Sequence, residues 1–160
     1  MHQPVLVIDS CSDLTATIVE DLGLEELHFP FVLAGQERAD DFGRTLPHGA
    51  LFAAMRQGDH PTTAQIPLGE MEALFRRHAE AGRTVVYLGF SSGLSGTFES
   101  AHLARSAVLV DVPDADIRLV DTLSASIIEG LIAHVAARML AAGATADELV
   151  MWSERERLRA

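Results

Sequence analysis

Residues 84–97 read TVVYLGFSSGLSGT: an apolar, β-branched run passes straight into three serines, two glycines and a threonine. The apolar part predicts a buried strand, and Ser95 or Thr97 is placed to open the helix that follows. A strand-to-helix corner of this composition has a chemical consequence. The first N–H groups of a helix are unpaired and carry partial positive charge, and serine hydroxyls add further donors. Gly93 and Gly96 are expected to let the backbone approach a ligand closely and to take positive φ. The corner therefore predicts a cradle for a carboxylate or phosphate that needs neither Lys nor Arg.

Three more runs outside this stretch predict strands: VLVI at 5–8, LHFPFVL at 27–33 and IRLV at 117–120. Between them the apolar spacing is helical. Asp13 is placed to cap a helix running to Gly23, and residues 48–57 form a short amphipathic candidate. GEMEALFRRHAEAG puts Met71, Leu74, Phe75 and His78 on one face before Gly82 ends it. The helix after Thr97 is expected to bury Leu103 and Ala107. A long segment from about Ser124 to Ala142 closes at Gly143, and Thr145-Ala-Asp-Glu148 predicts a capping-box start for a last helix reaching Ala160. Strands alternating with helices of this length indicate an α/β domain, a mostly parallel sheet flanked by helices. Its functional crevice then lies at the carboxyl ends of the strands.

Three strand ends carry similar loops: DSCSDL (9–14), FSSGLSGT (90–97) and DTLSAS (121–126). In a parallel sheet they share one edge. HPTTAQ (60–65) is placed to fold over that edge. Asp9 and Asp121 are expected to cap the helices that follow them. Glu129 is open to two readings, a functional carboxylate or the solvent side of its helix.

Other features bound the function. A chain of 160 residues fits one domain with a sizeable core, and no apolar run approaches the roughly 20 residues of a membrane span. The start MHQPVLVIDS has no signal-peptide pattern. A single cysteine, Cys11, forms no internal disulfide and is expected to pack rather than react, which suits the cytoplasm. A formal charge of −11 disfavours nucleic acid and anionic membranes as partners. All twelve basic residues are Arg, so there is no Walker lysine. No Gly-x-Ser-x-Gly elbow is present. The histidines at 2, 28, 48, 60, 78, 102 and 134 show no ligand spacing, so no metal is expected, and His134 is read as a partly buried core residue.

At these four loops the sequence resembles the DegV family of bacterial fatty-acid-binding proteins, which includes the fatty-acid-binding subunits of fatty acid kinase. Asp9, Ser10, Asp13 and Leu14 match the first family motif. Pro61, Thr63, Gln65, Gly69 and Glu70 match the second, with Ala64 and Ile66 in place of a serine and a proline. Ser91 through Thr97 match the third without change. Asp121, Ser124, Ala125 and Ser126 match the fourth, with Thr122 for serine.

The resemblance implies a protein without catalysis of its own and without a cofactor, holding one long-chain fatty acid such as palmitate. Thr63 and Ser95 would hold the carboxylate, with Ser10, Ser91, Ser92 and Gly93 completing the expected binding set. An ATP-dependent kinase subunit would be the partner that phosphorylates the presented carboxylate. The family has two domains; residues 1–160 correspond to the amino-terminal one, so a truncated form is expected, whose uncovered face favours homo-oligomers. Two other classes stay open: an interaction module without a complete lipid site, and an enzyme acting on a small carboxylate or phosphate.

Overall fold

The computed structural model describes residues 3–159, so His2 and the expected helix end at Ala160 lie outside the described residues. Strand β1 (Val5–Asp9) lies at the centre of a four-stranded parallel sheet, between β2 (Glu25–Leu27) and β6 (Val85–Gly89); β7 (Ile117–Asp121) forms the far edge. The α/β class is that expected from the sequence. Strand β1 is buried along its whole length, because its alternate side chains enter two different cores. Val5 and Val7 join Val85, Tyr87 and Ile117 under helices α3 (Leu68–Glu80) and α4 (Thr97–Asp111). Leu6 and Ile8 join Val86, Leu88 and Val120 on the other face. There they meet α1 (Ala16–Asp21), α5 (Ile127–Ala141) and α6 (Ala146–Glu156).

The predicted strand at 27–33 is two strands in two sheets. Only β2 continues the parallel sheet; β3 (Pro30–Leu33) pairs antiparallel with β4 (Gln36–Ala39) and β5 (Thr62–Thr63). The break has a local cause. The Phe29 amide donates to Ser10 Oγ (3.1 Å), and Pro30 has no N–H to extend the ladder. The small antiparallel sheet and α2 (His48–Arg56) together form an arch over the carboxyl edge of the main sheet.

Several helix boundaries depart from the sequence reading. Thr15, not Asp13, caps α1; Asp13 takes a left-handed φ of 52° and ends a short 3-10 turn at Ser10–Ser12. Helix α5 starts at Ile127, because Leu123 and Ser126 also have positive φ in the loop before it. Helix α4 buries Phe98, Ala101, Ala104 and Val108, while Leu103 is 54% exposed. Helix α6 ends at Glu156. Met71, Leu74, Phe75 and His78 of α3 are all buried, and the Thr145–Glu148 capping box forms, both as the spacing predicts. No helix among the described residues is long and apolar enough to cross a membrane.

Candidate functional site at the carboxyl edge of the sheet

From β1 the chain moves first to one side, to β2, and later to the other, to β6, so the strand order reverses between β1 and β6. Such a switch point opens a crevice at the carboxyl ends of the two strands. Asp9 closes its floor. Its Oδ1 accepts from the Cys11 amide (3.0 Å), and its Oδ2 accepts from the Tyr87 hydroxyl (2.7 Å) and the Phe90 amide (2.9 Å). Asp9 thus caps the short 3-10 turn after β1, whereas Thr15 caps α1, and it also ties β1 to β6. Asp9 and Tyr87 are fully buried. Burial raises the Asp9 carboxyl above its ordinary range, against the opposing bond from Phe90, and burial beside Asp9 raises the Tyr87 phenol.

The serine-rich loops are stitched to one another here. The Ser126 amide donates to the Cys11 carbonyl (2.8 Å), and the Ser126 hydroxyl donates to Asp13. The Ser91 amide donates to the Ser124 carbonyl (3.1 Å), and the Ser92 and Leu123 amides both reach Asp121 Oδ1 (3.2 and 3.0 Å). Asp121 therefore braces two loops rather than capping α5. Thr122 donates its hydroxyl to the Gly89 carbonyl (2.8 Å).

Above this floor, under the arch, lies a cleft of about 940 Å³. Sites for small organic ligands span roughly 300–1,000 Å³. Phe29, Phe31, Leu51, Phe52, Phe90 and Leu94 give it an apolar wall, and Thr63, Gln65 and Ser95 supply neutral polar groups. Asp13, Asp40, Asp41 and His48 also line it; no Arg does among the described residues. Burial raises the Asp40 carboxyl. Burial, then the charge of Asp9, pushes the Cys11 thiol up, so this cleft-lining sulfur stays protonated and unreactive.

Of the six residues expected at the site, Thr63 and Ser95 line this cleft. Thr63 is exposed on β5 opposite Phe31. Ser95 Oγ accepts from the Thr97 amide (3.2 Å) and shares a hydrogen bond with Thr97 Oγ1 (2.9 Å) just ahead of α4. With Thr97 as that donor, both acceptor positions of Ser95 are filled and its own proton is free for a ligand. The other four sit elsewhere. Ser10 is buried with its oxygen on the Phe29 amide, Ser91 Oγ accepts from Gly93 N–H (3.2 Å), and Ser92 and Gly93 are exposed outside the lining.

The glycines act differently from the expectation. Neither Gly93 nor Gly96 has positive φ. A Cβ on Gly96 would stand 2.4 Å from Gln65 Nε2, so this glycine makes room for the end of the Gln65 side chain. At Gly93 a Cβ would meet only Ser91 Oγ, at an ordinary 3.5 Å. Ala64 lines the cleft where a motif serine was expected. Sequence reasoning missed the aromatic wall. The alternation Phe29-x-Phe31-x-Leu33 was its available signal.

The family model described as "Uncharacterised protein, DegV family" matches residues 5–159. A DegV domain-containing protein of Clostridium perfringens is 34% identical over 157 residues, which cover 98% of this chain and 54% of that protein. A fatty acid (stearic acid)-binding protein from Eubacterium ventriosum superposes with a TM-score of 0.84 at 24% identity, over 96% of this chain and 52% of the other. At that identity the likeness is one of fold. A DegV family protein from Thermus thermophilus, whose structure is described by its fatty acid binding, gives a TM-score of 0.81 at 28% identity. The match covers 98% of this chain and 54% of that one. The chain spans about half the length of the curated relatives it matches.

Proposed function

The chain belongs to the DegV family, and on that premise we propose that it binds one long-chain fatty acid in the cleft beneath the arch. Its role is that of a carrier, which presents the acid's carboxyl group to an ATP-dependent kinase subunit. The observation that carries this reading is the shared position of Thr63 and Ser95 on one cleft with a phenylalanine-rich wall. The Thermus relative, described by its fatty acid binding, adds support.

The energetics suit an acyl ligand. Each methylene removed from water contributes about 0.8 kcal/mol, so the tail supplies most of the affinity. The head group meets hydroxyls and the start of α4, which favours an oxyanion without a buried ion pair, whose desolvation can exceed its attraction. Asp13, Asp40 and Asp41 work against a second negative charge. A bound fatty acid therefore titrates above its free value, and affinity falls as rising pH ionises the head. Because the relatives are about twice as long, this cleft is proposed as the wall that brings the hydroxyl donors.

Solvent extraction of the purified protein followed by denaturing mass spectrometry tests the reading. A stoichiometric long-chain acid is the expected result; an empty extract from folded protein that also ignores a fluorescent fatty acid counts against it. Ser95→Ala should weaken binding by ~1–3 kcal/mol, since a buried carboxyl oxygen loses its donor. Unchanged affinity in that variant removes Ser95 from the site.

A further inference from the structure

Glu129 is the third residue of α5, and it has no solvent exposure. The reading of this residue as the solvent side of its helix is therefore incorrect. Neither of its carboxyl oxygens receives a hydrogen bond from an N–H or O–H donor among the described residues. What faces it within hydrogen-bonding reach is another buried carboxyl, that of Asp9. Two ionised carboxylates cannot share such a place, because each is acceptor-only and neither is solvated. One proton between them converts repulsion into a charge-assisted O–H···O bond. Asp9 already accepts from Cys11, Tyr87 and Phe90, which suits the ionised partner, and Glu129 has no other donor, which suits the acid.

The packing around the pair is independent of any titration. A Cβ on Gly130 would stand 2.4 Å from the Ser12 carbonyl oxygen, so only glycine lets α5 close onto the turn after β1. The Ser126 amide and hydroxyl bond to Cys11 and Asp13 on either side. The first turn of α5 is thus clamped where Glu129 meets Asp9.

We propose that Glu129 is a positioning residue of the cleft: it keeps its proton at neutral pH and donates it to Asp9, which holds the Cys11 and Phe90 amides and so fixes two lining residues. The titratable groups facing the pair are Cys11 and Asp13 beyond β1, Tyr87 on β6, and Asp40 behind Cys11. All are acids: Asp13 opposes a further negative charge at Glu129, while Cys11 and Tyr87 stay neutral and Tyr87 donates to Asp9. Burial first, then Asp9, accordingly pushes the Glu129 carboxyl up to about 11.

The proposal rests on the acyl-binding reading for its affinity readout alone. The test uses the 160-residue chain with glutamate side-chain carboxyls labelled with carbon-13, followed by NMR through a pH titration. Amide resonances of Cys11 and Phe90 and affinity for a fluorescent long-chain fatty acid are read beside it. One glutamate signal should stay in its acid form across the neutral range and vanish in Glu129→Gln. That variant still donates to Asp9, so its affinity should change less than about twofold. Glu129→Leu removes the donor, should shift both amides, and should lower affinity about tenfold, the loss of one buried hydrogen bond. Titration of every glutamate in the ordinary carboxyl range overturns the proposal, as do unshifted amides and wild-type affinity in Glu129→Leu. If Glu129→Leu does not fold, the wild-type titration and Glu129→Gln decide. If wild-type protein takes up no probe, the acyl reading fails, while the carbon signal and the two amides still decide the role of Glu129.

Discussion

The two sides of the cleft are built in opposite ways. The floor, at the ends of β1 and β6, contains fully buried Asp9, Tyr87, Thr97, Thr122 and Glu129, and its loops are bonded to one another. The arch holds α2, a helix without one buried residue; its Phe52 and Met55 are 52% and 44% exposed. In the proposed binding mode the floor holds Ser95 in place through its bonds with Thr97, while Thr63 meets the head group from the arch. The arch contributes apolar surface, and its helix α2 is weakly tied to the core, which suits the flexible chain proposed as the ligand. The difference also explains why most of the serines that suggest an anion cradle do not touch the cleft: they hold the floor together.

This contrast makes graded predictions. The largest effect is expected at Gly130. An added methyl would press on backbone, not on a flexible side chain, so Gly130→Ala should cost about 3 kcal/mol in urea unfolding. A loss below about 0.5 kcal/mol would make the floor no more rigid than an ordinary surface.

Next comes the pH dependence of stability. Glu129 is an acid whose folded-state pKa is raised to about 11 from an ordinary value of 4.5, so the folded chain holds a proton that the unfolded chain releases. Its contribution is therefore fully present below the ordinary carboxyl range and is lost as pH climbs toward about 11. Glu129→Gln removes that linkage, and the variant should gain on wild type by up to about 1.4 kcal/mol for each pH unit above the ordinary carboxyl range, with the gap narrowing in acid. Parallel pH–stability curves for the two proteins would show that Glu129 ionises freely.

A cap lost away from the cleft gives a middle-sized reference. Thr145→Ala breaks the capping box of α6 and should cost about 1 kcal/mol in unfolding while leaving fatty acid affinity unchanged. At the arch the pattern should reverse. Phe52→Ala is expected to change stability by less than about 0.5 kcal/mol, because the ring is half exposed. It should still lower fatty acid affinity about tenfold, or about 1.4 kcal/mol, since it lines the cleft. Hydrogen exchange sharpens the same point: amides of β1 and β6 should exchange only on global unfolding, and those of α2 by local opening. Equal protection in both would remove the distinction between floor and arch.

The sequence by itself determined the layers, the parallel sheet, the buried face of α3, the capping box of α6 and the family, because these rest on short-range periodicity and on motifs read in order. That Thr63 and Ser95 come to one cleft was legible through those motifs alone. Tertiary structure decided what chain-local patterns cannot encode. It divided 27–33 between two sheets, because the Phe29 amide finds its acceptor on Ser10, nineteen residues away. It assigned Ser10, Ser91 and Ser92 to the scaffold, because their partners come from other loops or from the turn itself. It also set Glu129 against Asp9, from segments far apart in the chain. Burial depends on what packs from elsewhere, and burial determines whether a carboxyl keeps its proton.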